Sequence, residues 1–187
     1  MAGPSVTVHA VPSAEARAAG LVRRHLRNVW RTLRRLGVPV EAVDDATQEV
    51  FVVAARKLAE VEPGNEEYFL YAIALRVAAN ARRAHATQQK FFDATAATHA
   101  VDGTPPADAL LDQKRLRAML DAVLDALPED QRTVFVLVEL EGWSGPEIAE
   151  LLGVPIGTVA SRLRRAREIF HEQAVLIRSR HSSGGAP

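Results

Sequence analysis

The stretch SGPEIAELLGVPIGTVASRL, from Ser144 to Leu163, decides how this chain is read. Ser144 followed three residues later by Glu147 is the pattern of a capping box, in which each satisfies a free backbone N–H of the other's position. Pro146 falls in the first turn, where a missing N–H costs little. Ile148, Ala149, Leu151 and Leu152 form the apolar side of a short helix, and Gly153 suits a left-handed C-terminal cap. A second helix begins near Pro155, with Val159, Leu163, Ala166 and Phe170 recurring at helical spacing as a buried stripe. Thr158, Ser161, Arg164 and Arg165 lie roughly opposite that stripe, with Arg162 on its flank. A capped helix, a Gly turn and an Arg-rich second helix together predict a helix-turn-helix whose second helix enters the major groove of DNA. The competing reading, a helical hairpin with a solvated basic face, accounts for each signal singly but not for their conjunction.

Outward from that motif the chain reads as helical throughout, because no alternation of period two persists anywhere. Leu21 to Leu36 is an amphipathic helix, with Leu26, Val29, Trp30, Leu33 and Leu36 as its apolar positions, ended by Gly37-Val38-Pro39. Asp45 and Gln48 resemble a capping box for the next helix, which turns Val50, Val53, Ala54 and Leu58 inward. Glu62-Pro63-Gly64-Asn65 carries strong turn chemistry. A long helix follows from about Glu66 to His85. From Thr87 to Leu110 the composition shifts to Ala, Thr, Asp and Gly, which predicts a linker of ~24 residues, longer than most loops inside compact domains. Helices then span Leu116 to Leu127 and Glu129 to Leu140. The expected architecture is all-α, two small helical domains joined by a flexible linker. The expected divisions are a disordered 1–16, a first domain 17–86, the linker 87–110, a second domain 111–176 and a disordered tail 177–187.

The 187 residues carry 23 basic and 23 acidic side chains, so the formal net charge is zero. Distribution says more than the sum. Seven arginines from Arg17 to Arg35 have no acid among them. Arg76, Arg82, Arg83 and Lys90 form a second basic group, and Arg162, Arg164, Arg165, Arg167, Arg178 and Arg180 a third. Acidic blocks at Glu41–Glu49 and Glu60–Glu67 lie between them. Such alternation suits a protein that meets DNA on one face and another protein on a second. Cysteine is absent, and the six histidines show no metal-ligand spacing. Neither a nucleophile–base pair nor a phosphate-cradling Gly loop is present, so no enzyme activity, cofactor or metal is expected. No apolar run approaches the ~18 residues of a membrane span, which predicts a cytoplasmic protein without membrane attachment.

Two sets of motifs carry a family resemblance. One is Leu127-Pro128-Glu129-Asp130-Gln131-Arg132, then Ser144 to Ala149, then Gly157 to Arg167. The other is Asp44-Asp45-Ala46-Thr47-Gln48-Glu49-Val50-Phe51 followed by Phe69 to Ala74. The chain resembles the extracytoplasmic-function (ECF) sigma factors of bacterial RNA polymerase, which contain sigma regions 2 and 4. That resemblance implies promoter recognition, DNA melting and transcription initiation with core RNA polymerase. It implies docking on the clamp helices of the largest polymerase subunit through Asp45, Gln48 and Glu49, with Phe51 either contact or core. It implies recognition and melting of the −10 element by Tyr68, Phe69, Tyr71, Arg76, Asn80, Arg82 and Arg83. Thr158, Ser161, Arg162, Arg164 and Arg165 would read the −35 element. The implied partners are core polymerase, double-stranded and melted promoter DNA, and an anti-sigma factor of the kind that controls many relatives. The chain departs from the family pattern where Phe69 replaces a common Trp, Ala72 and Arg76 replace a common Arg and Asn, Asn80 replaces a frequent Asp, and Ala160 replaces a common basic residue. The other reading is a stand-alone LuxR-type helix-turn-helix regulator, which the Asp45 to Phe51 string and the aromatic helix disfavour.

Overall fold

The computed structural model describes residues 14–62, 64–93 and 108–182. Helices α1 (Ala14–Arg35), α2 (Val43–Lys57) and α3 (Glu66–Asp93) pack on one another as a first bundle, with a short 3-10 turn at Leu58–Glu60. Helices α4 (Asp108–Asp125), α5 (Glu129–Phe135), α6 (Gly145–Leu152) and α7 (Ile156–Ser182) form a second. Among the described residues there is no strand.

The elements follow from spacing and local chemistry. In α2, Val43, Ala46, Thr47, Val50, Phe51 and Ala54 are buried, a stripe of threes and fours. The hydroxyl of Thr47 is buried with them and donates to the Val43 carbonyl at 2.7 Å, so no polar group is stranded. The capping box expected at Asp45 does not form. The helix begins three residues earlier than that cap would place it, Ala42 takes the cap position without a side-chain bond, and Asp44 and Asp45 fall in the first turn. There they face the positive end of the helix dipole instead. In α1, Val29, Leu33 and Leu36 are buried as expected, but Leu26 and Trp30 are 48% and 37% exposed and point away from the core.

Helices reach past four of the expected boundaries. Helix α1 begins at Ala14, inside the stretch read as a disordered N-terminus. Helices α3 and α4 run into the expected linker from both sides, through Asp93 and from Asp108. Alanine and glutamine favour helix, and neither Pro nor Gly interrupts Thr87 to Asp93. Gly103-Thr104-Pro105-Pro106, read as the breaker, lies outside the described residues. Helix α7 continues to Ser182, past the expected start of the tail.

The two bundles are packed together. Leu124, Leu127, Phe135, Val136 and Ala166 of the second belong to the same apolar cluster as Leu21, Leu33, Leu70 and Val77 of the first. A further cluster joins Tyr71 of α3 to Val134, Leu137, Ile148 and Val159. At Gly37 the two bundles leave no room for a side chain. The glycine ends α1 with φ +88°, and an added Cβ would lie 1.9 Å from Nη1 of Arg132 in the second bundle. Gly37→Ala is expected to lower global stability by about 1–2 kcal/mol, the cost of a left-handed backbone at a residue with a Cβ. A denaturant melt checks this, and an unchanged midpoint would refute it.

Candidate nucleic-acid interface

The helix-turn-helix forms as its sequence dictates. The Ser144 N–H donates to Oε2 of Glu147 at 2.8 Å, and the Glu147 N–H reaches back to the Ser144 hydroxyl at 3.5 Å. The Ser144 hydroxyl, donating to the same Oε2 at 2.6 Å, and then the Ser144 N–H stabilise the charged carboxylate and hold its pKa below the ordinary glutamate range. Gly153 closes α6 in the left-handed conformation, φ +63° and ψ +35°. Its N–H and that of Val154 donate to the Glu150 and Ala149 carbonyls. Ile148, Val159 and Ala166 are buried beneath, and Phe170 stacks on Phe135 with ring centroids 4.7 Å apart.

That packing sets the outward face of α7. Ser161, Arg164 and Arg165 are exposed and Thr158 is half-buried. The Ser161 hydroxyl donates to the Thr158 carbonyl at 3.0 Å, so those two act as a unit. Arg164 pairs with Glu168 one turn on, at 2.6 Å. Arg165 has no acid partner among the described residues. Arg162 behaves differently. It is half-buried and pairs with Asp130 of α5, bracing the two helices. Arg167, read from the sequence only as a member of a basic group, ties α7 to Glu139 through both Nε and Nη2.

The first bundle distributes its expected DNA-contacting residues over several environments. Arg76, Asn80 and Arg83 are exposed on α3, with Arg83 donating to Oδ1 of Asn80 at 3.0 Å. Arg82 instead turns toward the second bundle, donating to the Leu36 carbonyl and to Glu129. Phe69, expected at the −10 element, packs instead against the main core. Tyr68 and Tyr71 face Trp143 of the second bundle, with centroid distances of 5.7 and 5.0 Å. Tyr71 is 5% exposed and its hydroxyl donates to Oε2 of Glu141 at 2.6 Å. Burial first, and the Glu141 carboxylate second, push its pKa well above the ordinary phenol value. The acidic loop before α3 is anchored from within. Arg17 donates to the Val61 carbonyl and to Glu66, both at 3.0 Å, so Glu66 is an internal partner and not a repulsive surface charge. Its pKa is lowered, chiefly by its backbone hydrogen bond, with Arg17 adding to it.

A second surface lies on the other side of the first bundle. Val22, Leu26, Trp30, Phe51, Val52 and Ala55 line an apolar groove between α1 and α2, with a volume of about 660 Å³. Gln48 lines it as well, while Asp45 and Glu49 stand exposed on the same helix. The Trp30 indole N–H donates to Asp44 at 2.7 Å, fixing the ring over the rim. Large apolar side chains left exposed in a row mark an interaction surface more often than chance. Leu26 and Trp30 were expected in the core. Helical periodicity alone could not separate an inward stripe from a neighbouring outward one.

A capped helix, a left-handed glycine turn and a long helix with an exposed basic side define a helix-turn-helix of the DNA-binding kind. Residues 21–88 match the family described as Sigma-70 region 2, and residues 117–169 match Sigma-70 region 4. The chain is 33% identical over 162 residues to the ECF RNA polymerase sigma-E factor of Haemophilus influenzae, covering 82% of this chain and 85% of that protein. It is 34% identical over 159 residues to the sigma-E factor of Escherichia coli K12, covering 79% and 81%. The ECF sigma factor SigE of Mycolicibacterium smegmatis is 33% identical over 165 residues; the match covers 87% of this chain but 62% of that longer relative. Among solved structures, CnrH in complex with the cytosolic domain of CnrY superposes with a TM-score of 0.62 at 26% identity, covering 84% of this chain and 87% of that one. The sigma factor RpoE of Bartonella quintana, solved with the anti-sigma factor NepR, shares the fold, with a TM-score of 0.64 at 22% identity over 83% and 94%. The chain belongs to the ECF RNA polymerase sigma factors. Helices α1–α3 are its region 2 and α4–α7 its region 4, and the match to region 2 sets aside the LuxR-type alternative.

Proposed function

We propose that this protein is a promoter-specificity subunit that binds core RNA polymerase, recognises two promoter elements and helps to open the duplex, performing no bond chemistry itself. The α1–α2 groove is the docking surface for polymerase. Its apolar floor and the polar rim of Asp45, Gln48 and Glu49 suit a helical partner laid along it, such as the clamp helices of the largest subunit. Phe51, at 9% exposure, serves as both floor and core. Arg164 and Arg165 read or grip the −35 element in the major groove, where a bidentate arginine–guanine pair is worth roughly 1–3 kcal/mol of discrimination. Thr158 and Ser161 supply shorter contacts, while Arg162 positions α7 through Asp130. On region 2, Tyr68 and Tyr71 stack on bases of the melted −10 element, and Arg76 and Arg83 hold phosphates. Asn80 orients Arg83. Partnership with polymerase puts the protein in the cytoplasm. No helix among the described residues is long and apolar enough to cross a membrane.

The observation that carries this reading is a single chain presenting both an unpartnered apolar groove on region 2 and an exposed arginine face on region 4. Run-off transcription with core polymerase on a promoter library tests it and reads the specificity together. Arg165→Ala is expected to weaken promoter binding about tenfold while core association survives. Equal loss of both would overturn the face assignment.

A further inference from the structure

We propose that the free protein blocks its own −10 face: Trp143 and Glu141 of region 4 dock on Tyr68 and Tyr71 of region 2, where the indole ring takes the place of an unstacked base. This rests on the assignment of those tyrosines to −10 recognition made above.

The contact is built from complementary groups. Trp143 lies within stacking distance of both tyrosine rings, tilted by 34° to Tyr68 and 58° to Tyr71. The indole thus packs at a tilt against both phenol rings and covers the surface that an extruded base would need for stacking. Beside it, the Glu141 carboxylate accepts from Tyr71 at 2.6 Å, from Arg35 at 3.0 Å and from Thr32 at 2.9 Å. All three donors belong to region 2. The corner that carries both residues is rigid. After α5 the chain widens into a π-type turn, Val136–Leu140, and the Glu141 N–H donates to the Val136 carbonyl. Gly142 then turns the chain at φ +78°, and the Trp143 N–H donates to the Leu137 carbonyl at 2.9 Å.

Charge reinforces the block. The hollow of about 840 Å³ beside the indole is lined by Glu60, Glu62 and Glu67 of region 2 and by Glu147 and Glu150 of region 4. Nucleic-acid phosphates entering it meet carboxylates from both sides. The −35 face is untouched, since Arg164 and Arg165 stay exposed in the same arrangement. The closure is therefore selective for the −10 element.

At the other corner Arg82 bridges to Glu129 of region 4 and Arg132 pairs with Asp125, but the two guanidinium groups are crowded together. Arg82 and Arg132 lie close enough for their charges to oppose one another, and burial lowers the Arg132 pKa. The Nε of each is buried without a partner among the described protein atoms. Burying guanidinium groups with unmet donors is costly, and opening returns them to water. Binding of polymerase or melted DNA, each favouring the open form, would shift the balance.

The chain has no cysteine, so paired spin labels at Glu62→Cys and Glu150→Cys, both exposed on opposite walls of the hollow, report the closure directly. The expected result is one short, narrow distance in the free full-length protein. It should become long and broad with Trp143→Ala or with Glu141→Ala, whose side-chain partners all lie in region 2. The same substitutions should raise affinity for a random-sequence single-stranded DNA pool about tenfold. Binding to duplex DNA should stay within twofold. The Glu141 variant guards against a folding defect from loss of the indole. A broad distance in the unsubstituted free protein, or no gain in single-strand binding by either variant, overturns the proposal. Failure to transcribe with core polymerase would instead sink the promoter assignment and leave the label distances as they are.

Discussion

Leu26→Glu combined with Val52→Glu is expected to abolish capture of core polymerase while leaving the fold intact. Both side chains line the α1–α2 groove and both are already largely open to water, at 48% and 41% exposure. A charge at either place is solvated in the free protein, so stability should change by no more than about 0.5 kcal/mol. In a complex the same carboxylates would be buried against an apolar partner surface without a counter-charge, at a cost of several kcal/mol. A loss of at least ~100-fold in affinity follows, since 1.4 kcal/mol is a factor of ten. Size-exclusion with core enzyme measures the capture, and circular dichroism with a thermal melt confirms the fold. Retention of polymerase binding by a folded double variant would remove the groove from the docking surface.

The other large effect is expected inside region 4. Ile148→Ala removes a side chain with no exposure, from the centre of a cluster with Val134, Leu137 and Val159. Large-to-small changes of this kind cost about 2–5 kcal/mol through lost transfer energy and the cavity left behind. Region 4 is a small unit whose α6 is only 8 residues long. Its local stability cannot absorb that loss as the larger cluster can. Hydrogen exchange should speed up across α6 and the start of α7, and binding to −35 duplexes should fall with it. Polymerase capture through region 2 should persist. Uniform exchange rates in the variant would show that the helix-turn-helix draws its stability from elsewhere.

Much of the reading lies in local chemistry. The Ser144–Glu147 box, the Gly153 cap and the stripe from Val159 to Phe170 are decided by bonds and spacings within a turn or two. They form where the residues predict. Helix ends were less legible. Asp45 looked like a capping residue, but burial of Val43 pulled the start of α2 forward. Leu26 and Trp30 fit the α1 repeat as well as Val29 and Leu33 do. Only the position of α2 and α3 determines which of them are covered. Arg82 and Arg162 read as members of basic faces, and both turn out to be tied by acids far away in sequence.

By itself the amino-acid order determined that the chain is helical, that it carries the motifs of regions 2 and 4, and that arginines gather on the side of α7 opposite its apolar stripe. Those properties rest on hydrogen bonds and apolar repeats between near neighbours. Only the tertiary structure decided that an apolar groove opens between α1 and α2, and that Trp143 and Glu141 sit on Tyr68 and Tyr71. Those pairings join residues about seventy positions or more apart where Glu141 meets Tyr71 and Thr32. No periodicity records such a contact, because it depends on how two finished bundles fit together.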